Sequence, residues 1–567
     1  MVTFQDPKQQ ERFNELKKKE EEDLVGILAT RYGVPYAHLS SATVNTDALR
    51  LVPENEARAA GIAPYAVIGK RVKVGSIAPN KQEVKGIMED LARRGYEPEI
   101  AMISHASIEI AWALYPEISR TEETEAGVFD ISREILTETA KTVKSIAGIA
   151  TLVENISVSD TRNKISRILE AIMGGAIALG ASDVHFEPEE TRARVRIRLD
   201  GVLVDAAYLN TDMYRFLLSR IKLLSGLKLN ITKNSQDGRF SIKLAEITFD
   251  IRTSIIPEQN NESIVMRLLD PKSISIKSDD LGINPALLET IKKEISRPNG
   301  LVLTTGPTGS GKTTTLYAFL RQIHTPDIKI ITIENPIEYH LEGITQTQTN
   351  DKEGYTFVQG LRTALRQDPD VIMVGEIRDG DTAQTALNAA FTGHLVFSTL
   401  HTNNAAGAIP RLVNLGVNPK LITSGLNLSL AQRLVRRLCP TCKRPHIPPP
   451  EEATIIENAL NRYNAKSGTN ETLSAATLFE ANTDSTNTCH TCGGLGYKGR
   501  IGVYEGILTD EHIEAVILSD TITEREIKKA AEAQRMPTMT EDGIVVKVCT
   551  GLTSFEELRR VVDVEET

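Results

Sequence analysis

The sequence of 567 residues predicts an α/β protein of about four structural units, because one domain averages roughly 150 residues. From about residue 285, short apolar runs alternate with helical segments, which is typical of a parallel sheet with crossover helices. Within that region a glycine-rich loop stands between an apolar strand and a helix. Before it, Arg192–Leu199 alternates strictly between arginine and apolar residues, which indicates a strand with one charged face.

The composition excludes several classes of protein. Lys plus Arg number 65 against 75 for Asp plus Glu, and the net charge of −10 argues against a surface built to bind nucleic acid. With 41% hydrophobic and 25% charged residues, the chain is not mostly disordered. No run approaches the ~18 consecutive apolar residues of a transmembrane helix. Five cysteines are too few for a disulfide framework, so we expect a cytoplasmic protein.

Residues 1–117 are predicted to form a small α/β domain, and residues 118–150 a linker. Apolar residues between Leu24 and Tyr32 form a helical stripe that stops before a Gly and a Pro, and apolar strands and a further helix follow. This part of the sequence has no visible cluster of catalytic residues. Residues 118–150 are rich in Thr and Glu and have weak periodicity, which is typical of a linker.

Residues 151–275 are predicted to form a second domain that carries clustered arginines. One face of the strand Arg192–Leu199 bears four arginines, and a later strand, Ile247–Arg252, repeats the alternation. So much positive charge on one strand face is costly unless something negative lies across it. Two interpretations remain open at this point: the arginines pair with surface carboxylates, or they face an interface or a phosphate.

The most specific motif lies in the third unit, residues 285–567, between the strand ending at Thr304 and a helix starting at Thr313. It matches the P-loop pattern in full, and the flanking strand and helix are the context that the motif requires. Its glycines allow backbone N–H groups to ring a phosphate, and the helix N-terminus adds its positive dipole end. Lys312 is expected to reach the terminal phosphates and the Thr313 hydroxyl to hold Mg²⁺. The predicted ATP-binding residues are Gly306, Pro307, Thr308, Gly309, Ser310, Gly311, Lys312, Thr313 and Thr314.

Three further stretches place polar side chains after apolar strands. Residues 331–340 contain two glutamates four positions apart, Glu334 and Glu338. Residues 365–379 deliver a carboxylate, Glu376, after a buried strand, and residues 392–404 contain two histidines. Because open α/β sheets bind ligands at the carboxyl edge of their strands, these side chains are expected to meet there.

The cysteines provide a second specific signal. Two C-x₂-C pairs, formed by Cys439, Cys442, Cys489 and Cys492, indicate a structural zinc site with no open coordination position, while Cys549 stands apart. The segment 443–488 between the pairs is rich in Ala, Asn, Thr and Ser, and we expect it to be partly disordered. The zinc-binding subdomain is predicted at about 436–500.

At these motifs the sequence resembles a known family, the ATPases of type II secretion and type IV pilus assembly. Residues 365–379 resemble the family signature, and residues 331–340 and 392–404 resemble its Asp box and His box. Their order and spacing after the P-loop also fit. The resemblance covers about residues 150–567 with strong motifs and 24–117 with weak ones.

The resemblance implies a ring-shaped homo-hexamer of RecA-like ATPase domains, each preceded by a PAS-like arginine-bearing domain, with ATP and Mg²⁺ as cofactors. It makes Glu338 the candidate general base that orients the attacking water. It makes Glu376 an atypical Walker B carboxylate that acts on Mg²⁺ together with Thr313. His401 would couple the phosphate site to a neighbouring domain.

Basic residues of a neighbouring subunit can complete a site of this family. The candidates are Arg252 and Arg267 in the second domain, and Arg362 and Arg366 in the ATPase domain.

One position departs from the family pattern. The Asp box usually has Glu-Asp-Pro, whereas here Asn335 stands between the glutamate and the proline. Asparagine keeps the shape and loses the charge. We expect activity to survive, because both glutamates remain.

These features predict a cytoplasmic hexameric ATPase motor for type IV pilus assembly or type II secretion. It would be recruited to the inner face of the cytoplasmic membrane by an inner-membrane platform protein. Three alternatives remain: a pilus retraction or DNA-uptake motor, a nucleotide-gated scaffold that hydrolyses ATP weakly, and a nucleic-acid translocase. The shorter retraction branch typically lacks the zinc site and the extra N-terminal domain, which favours assembly or secretion.

Residues 1–117 are assigned to partner docking. In some relatives this domain binds cyclic di-GMP through repeated Arg-Leu-Gly motifs. The sequence contains no Arg-Leu-Gly, so we expect no cyclic di-GMP binding and docking to the pilus or secretion machine instead.

Overall fold

The structure is a computed structural model of the chain, and it divides into two compact units. The first comprises Met1–Thr124 with Asp160–Asn163, and the second comprises Glu125–Ser159 with Lys164–Thr567. The residues it describes are 21–39, 44–49, 51–68, 70–115, 128–130, 139, 143, 145–158, 164–244, 247–270, 276–473, 478–484 and 489–564.

The first unit is a three-stranded sheet with helices, as the α/β pattern of this region predicts. Its strands run in the order β1-β2-β3, with β1 antiparallel and β3 parallel to β2. Ser104 caps the last helix of the unit, because its hydroxyl accepts a hydrogen bond from the Ser107 N–H at 2.9 Å. The elements are α1 (21–32), α2 (Thr46–Leu49), α3 (Glu54–Ala60), β1 (Ile62–Ile68), β2 (Arg71–Ser76), α4 (Gln82–Arg93), β3 (Glu97–Met102) and α5 (His105–Trp112).

The second unit begins with a seven-stranded sheet in the order β4-β8-β9-β10-β5-β6-β7. A two-residue turn joins β6 to β7: Asp200 and Gly201 both have positive φ, 48° and 88°, as the Asp-Gly hairpin turn requires. Its elements are β4 (Val128–Asp130), α6 (Ile146–Val158), α7 (Lys164–Leu179), β5 (Asp183–Pro188), β6 (Arg192–Leu199), β7 (Val202–Asn210), α8 (Thr211–Leu224), β8 (Gln236–Leu244), β9 (Ile247–Pro257) and β10 (Glu262–Leu269).

The linker predicted over residues 118–150 needs a correction, because part of it is built into this sheet. Val128–Asp130 pairs in parallel with Ser241–Lys243 of β8, and α6 begins at Ile146. The helix is held by burial of Ile149, Val153 and Ile156. Weak periodicity therefore concealed a short edge strand and the first turn of an apolar helix.

The arginine face of β6, formed by Arg192, Arg194, Arg196 and Arg198, is fully paired with carboxylates. Arg192 binds Glu189 at 2.8 Å, Arg194 binds Glu187 at 3.2 Å, and Arg196 also binds Glu187. Arg198 lies 3.3 Å from Asp183. The opposite face of the strand, including Val195 and Ile197, is buried in the core. Of the two interpretations that the sequence left open, the structure favours pairing with carboxylates, of which Asp183 is buried and Glu187 and Glu189 are half-buried.

The rest of the second unit is a mostly parallel seven-stranded sheet in the order β13-β12-β14-β15-β11-β16-β19. Only β19 runs antiparallel to its neighbour within these pairings. The elements are α9 (Pro285–Ile295), β11 (Gly300–Thr305), α10 (Lys312–Ile323), β12 (Ile330–Glu334), β13 (Thr345–Gln348), α11 (Phe357–Ala364), β14 (Val371–Val374), α12 (Gly380–Phe391), β15 (Leu395–Leu400), α13 (Ala408–Asn414), α14 (Pro419–Gly425), β16 (Leu426–Leu438), β17 (Arg444–Pro445), α15 (Pro450–Ser467), β18 (Phe479–Glu480), β19 (Tyr497–Leu508), α16 (Glu511–Ile517), α17 (Glu524–Ala531), α18 (Met539–Glu541) and α19 (Phe555–Val561).

Helices cover this sheet, and its central strands are buried along their whole length. The burial of β11, β12, β14 and β15 is what the continuous apolar runs of the sequence predict for a parallel sheet. The predicted α/β class is therefore confirmed. In the part of the chain that the structure describes, no helix combines the length and the apolar character that crossing a bilayer requires.

The described part of the insertion, residues 443–473 and 478–484, is more ordered than its composition predicts. It contains the 18-residue helix α15, with Ile456, Ala459 and Leu460 buried. Near the end of α15, Lys466 forms an ion pair of 2.8 Å with the buried carboxylate of Glu541. The expected disorder is wrong for α15, because three apolar residues on one face and this ion pair anchor the helix to the C-terminal region.

Candidate functional site

The predicted ATP-binding residues, with the candidate carboxylates and His401, lie at the carboxyl edge of the mostly parallel seven-stranded sheet, which we call the P-loop edge. It consists of the loops that follow β11, β12, β14 and β15. Because these four strands are parallel, their carboxyl ends lie on one side of the sheet. The strand order places β11, and hence the P-loop, between β15 and β16.

The P-loop folds as its glycines predict. Gly306, Gly309 and Gly311 have φ values of 142°, 79° and 88°, which side chains with a Cβ rarely adopt. At Gly306 a Cβ would also lie 2.5 Å from the Gln432 carbonyl oxygen of β16. Helix α10 starts at Lys312, directly after the loop. The loop therefore presents a helix N-terminus at the P-loop edge.

Lys312 is buried beside its own loop. Its Nζ donates to the carbonyl oxygens of Gly306 and Pro307, at 2.8 and 3.0 Å. Burial lowers the pKa of Lys312, the nearby carboxylate of Glu376 opposes that shift, and the guanidinium of Arg433 adds to it. The structure thus brings Lys312, Glu376 and Arg433 into one electrostatic neighbourhood.

Three hydroxyl-bearing residues flank Lys312 in the loop and in the first turn of α10. The Ser310 hydroxyl is buried and has no hydrogen-bond partner within the described part of the chain. Thr313 and Thr314, in the first turn of α10, are half-buried. A phosphate would supply an acceptor for the unpaired Ser310 hydroxyl, so the residues present fit a bound nucleotide.

Glu376 is held between two strands at the P-loop edge. The Gly375 N–H donates to the Ile333 carbonyl at 2.8 Å, and the Ile377 N–H donates to the Thr399 carbonyl at 2.9 Å. One carboxylate oxygen pairs with Arg378, and the other lies 3.3 Å from Nε2 of His401. The structure therefore unites two predicted residues, Glu376 and His401, and adds Arg378 as their neighbour.

Glu334 and Glu338 have different surroundings. Glu334 is almost fully buried and accepts hydrogen bonds from Tyr317, from Thr332 at 2.6 Å and from Gln346 at 3.1 Å. This carboxylate raises the pKa of the Tyr317 phenol, after burial, which is the larger cause. Since its two oxygens are already bound, Glu334 fixes the end of β12 against α10.

Glu338 is half-buried and belongs to an ion pair. Its Oε2 lies 3.1 Å from Nη1 of Arg252 on β9, and Nη2 of Arg252 donates to the Ile337 carbonyl at 2.6 Å. The candidate base and one candidate arginine therefore meet within one chain. The prediction that Arg252 serves a neighbouring subunit has an alternative in this intrachain pair.

The other three candidate arginines do not contact Glu338 or the P-loop within the described chain. Arg267 pairs with Asp183 at 3.1 Å. Arg362 and Arg366 are exposed, and Arg366 donates to the Arg362 carbonyl at 3.0 Å. The structure therefore does not bring Arg267, Arg362 or Arg366 to the side chains of the P-loop edge.

Sequence reasoning missed Arg378, Gln432 and Arg433. Arg378 stands two residues after Glu376, inside the stretch already singled out, and that spacing could have indicated it. Gln432 and Arg433 form a polar pair inside the long apolar strand β16, and this interruption was the available signal. Both come to the P-loop because β16 pairs with β11.

The four predicted zinc ligands converge. Their sulfur atoms all lie within 4.8 Å of one another, and Cys439 and Cys492 are buried. They close the far end of the antiparallel β16–β19 pair, next to the pairing of Leu438 with Tyr497. Four thiols at this spacing suit a tetrahedral metal such as zinc, with no ligand position left open. Cys549 lies outside the cluster, and burial raises the pKa of its thiol to about 11.

Comparison with known proteins identifies the family to which the chain belongs. A sequence model of the family described as "Type II/IV secretion system protein" matches residues 158–560. Type II secretion system protein E of Pseudomonas aeruginosa is 42% identical over 408 residues, covering 72% of this chain and 77% of that protein.

Two further relatives are named as ATPases. Type II secretion system ATPase E of Vibrio cholerae is 40% identical over 408 residues, with 72% and 77% of the two chains covered. Type IV pilus assembly ATPase PilB of Myxococcus xanthus is 35% identical over 541 residues, covering 95% of this chain and 91% of that protein. The chain therefore belongs to the type II/IV secretion system protein family and is a P-loop ATPase, as its sequence predicts.

Proposed function

We propose that this chain is the ATPase motor of a type IV pilus assembly machine. The observation that carries the proposal is the extent of the similarity. The pilus assembly relative matches 95% of this chain, whereas the two secretion relatives match 72% each. A pilus motor thus accounts for more of the sequence. Type II secretion is the second candidate, because the secretion relatives are more nearly identical where they match, at 42% and 40%.

ATP binds at the P-loop in this proposal. The loop N–H groups and the N-terminus of α10 surround the phosphates, and Lys312 exchanges its two carbonyl partners for phosphate oxygens. The Thr313 hydroxyl and the Glu376 carboxylate are the residues that would hold Mg²⁺, which would neutralise phosphate charge. Arg378 and His401 fix the orientation of Glu376 through their contacts with its two oxygens.

Glu338 is the proposed general base. It orients the attacking water and accepts its proton, and Arg252 holds the carboxylate in place at 3.1 Å. Glu334 is a poorer candidate, because Tyr317, Thr332 and Gln346 already occupy its carboxylate. His401, beside Glu376, is placed to pass a change in the phosphate site to neighbouring parts of the molecule.

The cysteine cluster is proposed to hold one structural zinc ion. Metal binding would hold the end of β16 next to the start of β19. It would thereby fix the two ends of the insertion relative to each other. The start of β19, just after the cysteine cluster, also contacts the arginine-bearing domain, because the Gly499 N–H donates to Asp200 at 2.9 Å. We therefore assign the metal to the stability of the C-terminal region, with no part in the chemistry.

We propose further that the chain works as a homo-hexamer at the inner face of the cytoplasmic membrane. An inner-membrane platform protein receives the motion that ATP hydrolysis produces. The N-terminal domain docks to a component of the same machine. Helix α1 supports docking, because Leu24 and Ile27 on it are 58% and 70% exposed while Val25 and Ala29 are buried.

Complementation in cells that lack this chain tests the pilus proposal. Wild-type protein should restore surface pili, counted by electron microscopy, and Lys312→Ala should not. Ile27→Glu should restore few pili yet keep the ATPase activity of the purified protein, with Arg31→Glu on the same helix as the matched control. Restored protein secretion without restored pili would decide for type II secretion.

A nucleotide-gated scaffold is the candidate from another class. Asn335 favours it, because the carboxylate that usually follows Glu334 in the Asp box is missing. Such a scaffold would bind ATP and hydrolyse it very slowly. A steady-state hydrolysis assay of the purified protein separates the two functions.

A further inference from the structure

Arg433 is a cation of the P-loop edge to which the proposed chemistry gives no role. It lies on β16, the strand on one side of β11, and its Nη2 donates to the carbonyl oxygen of Asn403 at 3.0 Å. Asn403 belongs to the loop after β15, the strand on the other side of β11. The Arg433 side chain therefore crosses the carboxyl end of β11, where the P-loop begins.

The backbone of this part of β16 is fixed against the P-loop. Besides the close approach of the Gln432 carbonyl to Gly306, Nε2 of Gln432 lies 2.8 Å from where a Cβ of Gly311 would stand. The Thr315 hydroxyl on α10 donates to Oε1 of Gln432 at 2.9 Å. The contacts of Gln432 thus fix the backbone of the adjacent Arg433 next to both ends of the loop.

Two cations at this place, Lys312 and Arg433, form no ion pair with any described residue. In the described chain, neither Lys312 nor Arg433 has a carboxylate oxygen within 4.0 Å, although both are at least half-buried. Glu505, the carboxylate that acts on Arg433, accepts instead from the N–H groups of Ala405 and Met539 at 2.7 and 3.1 Å.

The two cations also disfavour each other. Burial lowers the pKa of Arg433 and Glu505 opposes it, while Arg433 in turn contributes to the lowered pKa of Lys312. Two neighbouring, partly desolvated cations without an ion pair are costly, and a bound anion would remove that cost.

We propose that Arg433 is a second cationic ligand, supplied by the same chain, for the terminal phosphates of the nucleotide. Among the described residues, the Arg433 guanidinium donates one hydrogen bond, to Asn403, so the rest of the planar fork is available to a phosphate oxygen. Through Asn403 the same side chain links the phosphates to the loop that carries His401. This inference rests on the proposed nucleotide site at the P-loop.

Nucleotide binding by the full-length protein tests the inference. Calorimetry would measure the affinity for a non-hydrolysable ATP analogue and for ADP, with Mg²⁺, at low and at high salt. Arg433→Gln should weaken the ATP analogue by ~10-fold or more at low salt, because a charge-assisted contact with phosphate is lost. Arg437→Gln is the matched control, since Arg437 is an exposed arginine of the same strand, and its affinities should equal those of the wild type.

The variants also separate the possible failures. Loss of affinity for both nucleotides would assign Arg433 to the β-phosphate, and loss for the ATP analogue alone to the γ-phosphate. Unchanged affinities in Arg433→Gln, while Lys312→Ala no longer binds, would overturn the inference and leave Arg433 as a structural tie to Asn403. Unchanged binding in Lys312→Ala would overturn the P-loop site itself.

A second variant guards against misfolding. If Arg433→Gln has a lowered unfolding midpoint without nucleotide, Arg433→Lys carries the test, because it keeps the charge and loses the planar fork. Binding of the ATP analogue that is restored toward the wild type in Arg433→Lys, but not in Arg433→Gln, supports the inference. Binding by Arg433→Lys as weak as that of Arg433→Gln, at an unchanged midpoint, contradicts it.

Discussion

The arginine face of β6 and the P-loop edge both concentrate basic side chains, but their charge balance is opposite. On the arginine face, every arginine lies within 3.4 Å of a carboxylate oxygen from Asp183, Glu187 or Glu189. At the P-loop edge, Lys312 and Arg433 have no such partner among the described residues. The difference indicates that carboxylates of the fold neutralise the arginine face, whereas the two cations of the P-loop edge are suited to bind an anion.

The charge pairing of basic residues indicates function better than how conspicuous those residues are in the sequence. The four arginines in alternation are the more conspicuous feature of the sequence, yet surface ion pairs contribute little to stability and need no ligand. Lys312 and Arg433 lie 121 positions apart in the chain, and only the fold brings them together. Uncompensated charge in a partly buried place is therefore the more informative observation.

The largest expected effect is that of Lys312→Ala on hydrolysis. Phosphoryl transfer depends on positioning and electrostatics, so loss of this charge should lower the steady-state rate by ~10³-fold. The unfolding midpoint should change little, because the amine's hydrogen bonds to described residues are both within its own loop. Near wild-type turnover in this variant would show that hydrolysis does not need the Lys312 cation, and the contrast with the arginine face would then have no functional meaning.

Glu338→Gln should have the next largest effect. Removal of a general base typically costs ~10²–10⁴-fold in rate, and ATP binding should persist because the P-loop is intact. Rapid-quench and binding assays on the same preparation measure both. Normal turnover in this variant would exclude Glu338 as the base and make Glu376 the leading candidate.

Loss of a zinc ligand should change stability instead of chemistry. Cys489→Ser is expected to lose one bound zinc per chain, measured by atomic emission, and to lower the unfolding midpoint, because metal affinity is also folding free energy. Cys549→Ser is the control and should keep its zinc, since this cysteine lies outside the cluster. Purified wild-type protein without zinc would contradict the assignment.

The smallest effect is expected on the arginine face. Arg196→Gln removes one ion pair with Glu187 and should lower the free energy of unfolding by about 1 kcal/mol or less, with unchanged hydrolysis. Chemical denaturation and the hydrolysis assay check the two parts. A large loss of activity at unchanged stability would mean that this face has a ligand or a partner after all.

The sequence predicted the features that are local along the chain. The P-loop, its strand and its helix occupy one continuous segment, and the periodicity of β11, β14 and β15 reveals a buried parallel sheet. The cysteine cluster was also predictable, because the chemistry of four thiols outweighs the long gap between the two pairs.

What the sequence could not provide depends on non-local pairing. Arg433 reaches the P-loop only through the pairing of β16 with β11, and Arg252 reaches Glu338 from a strand 86 positions away. The helix α15 was missed for another reason: its polar composition hides a narrow apolar face that is buried only when the C-terminal region is in place.

Steady-state release of phosphate from ATP by the purified wild-type chain, beside Lys312→Ala, tests whether this chain hydrolyses ATP at its P-loop. Turnover is expected to require Mg²⁺ and to disappear in the variant, despite Asn335 in the Asp box. Tight binding of ATP by the wild type without measurable hydrolysis would contradict this expectation and would identify a nucleotide-gated scaffold instead.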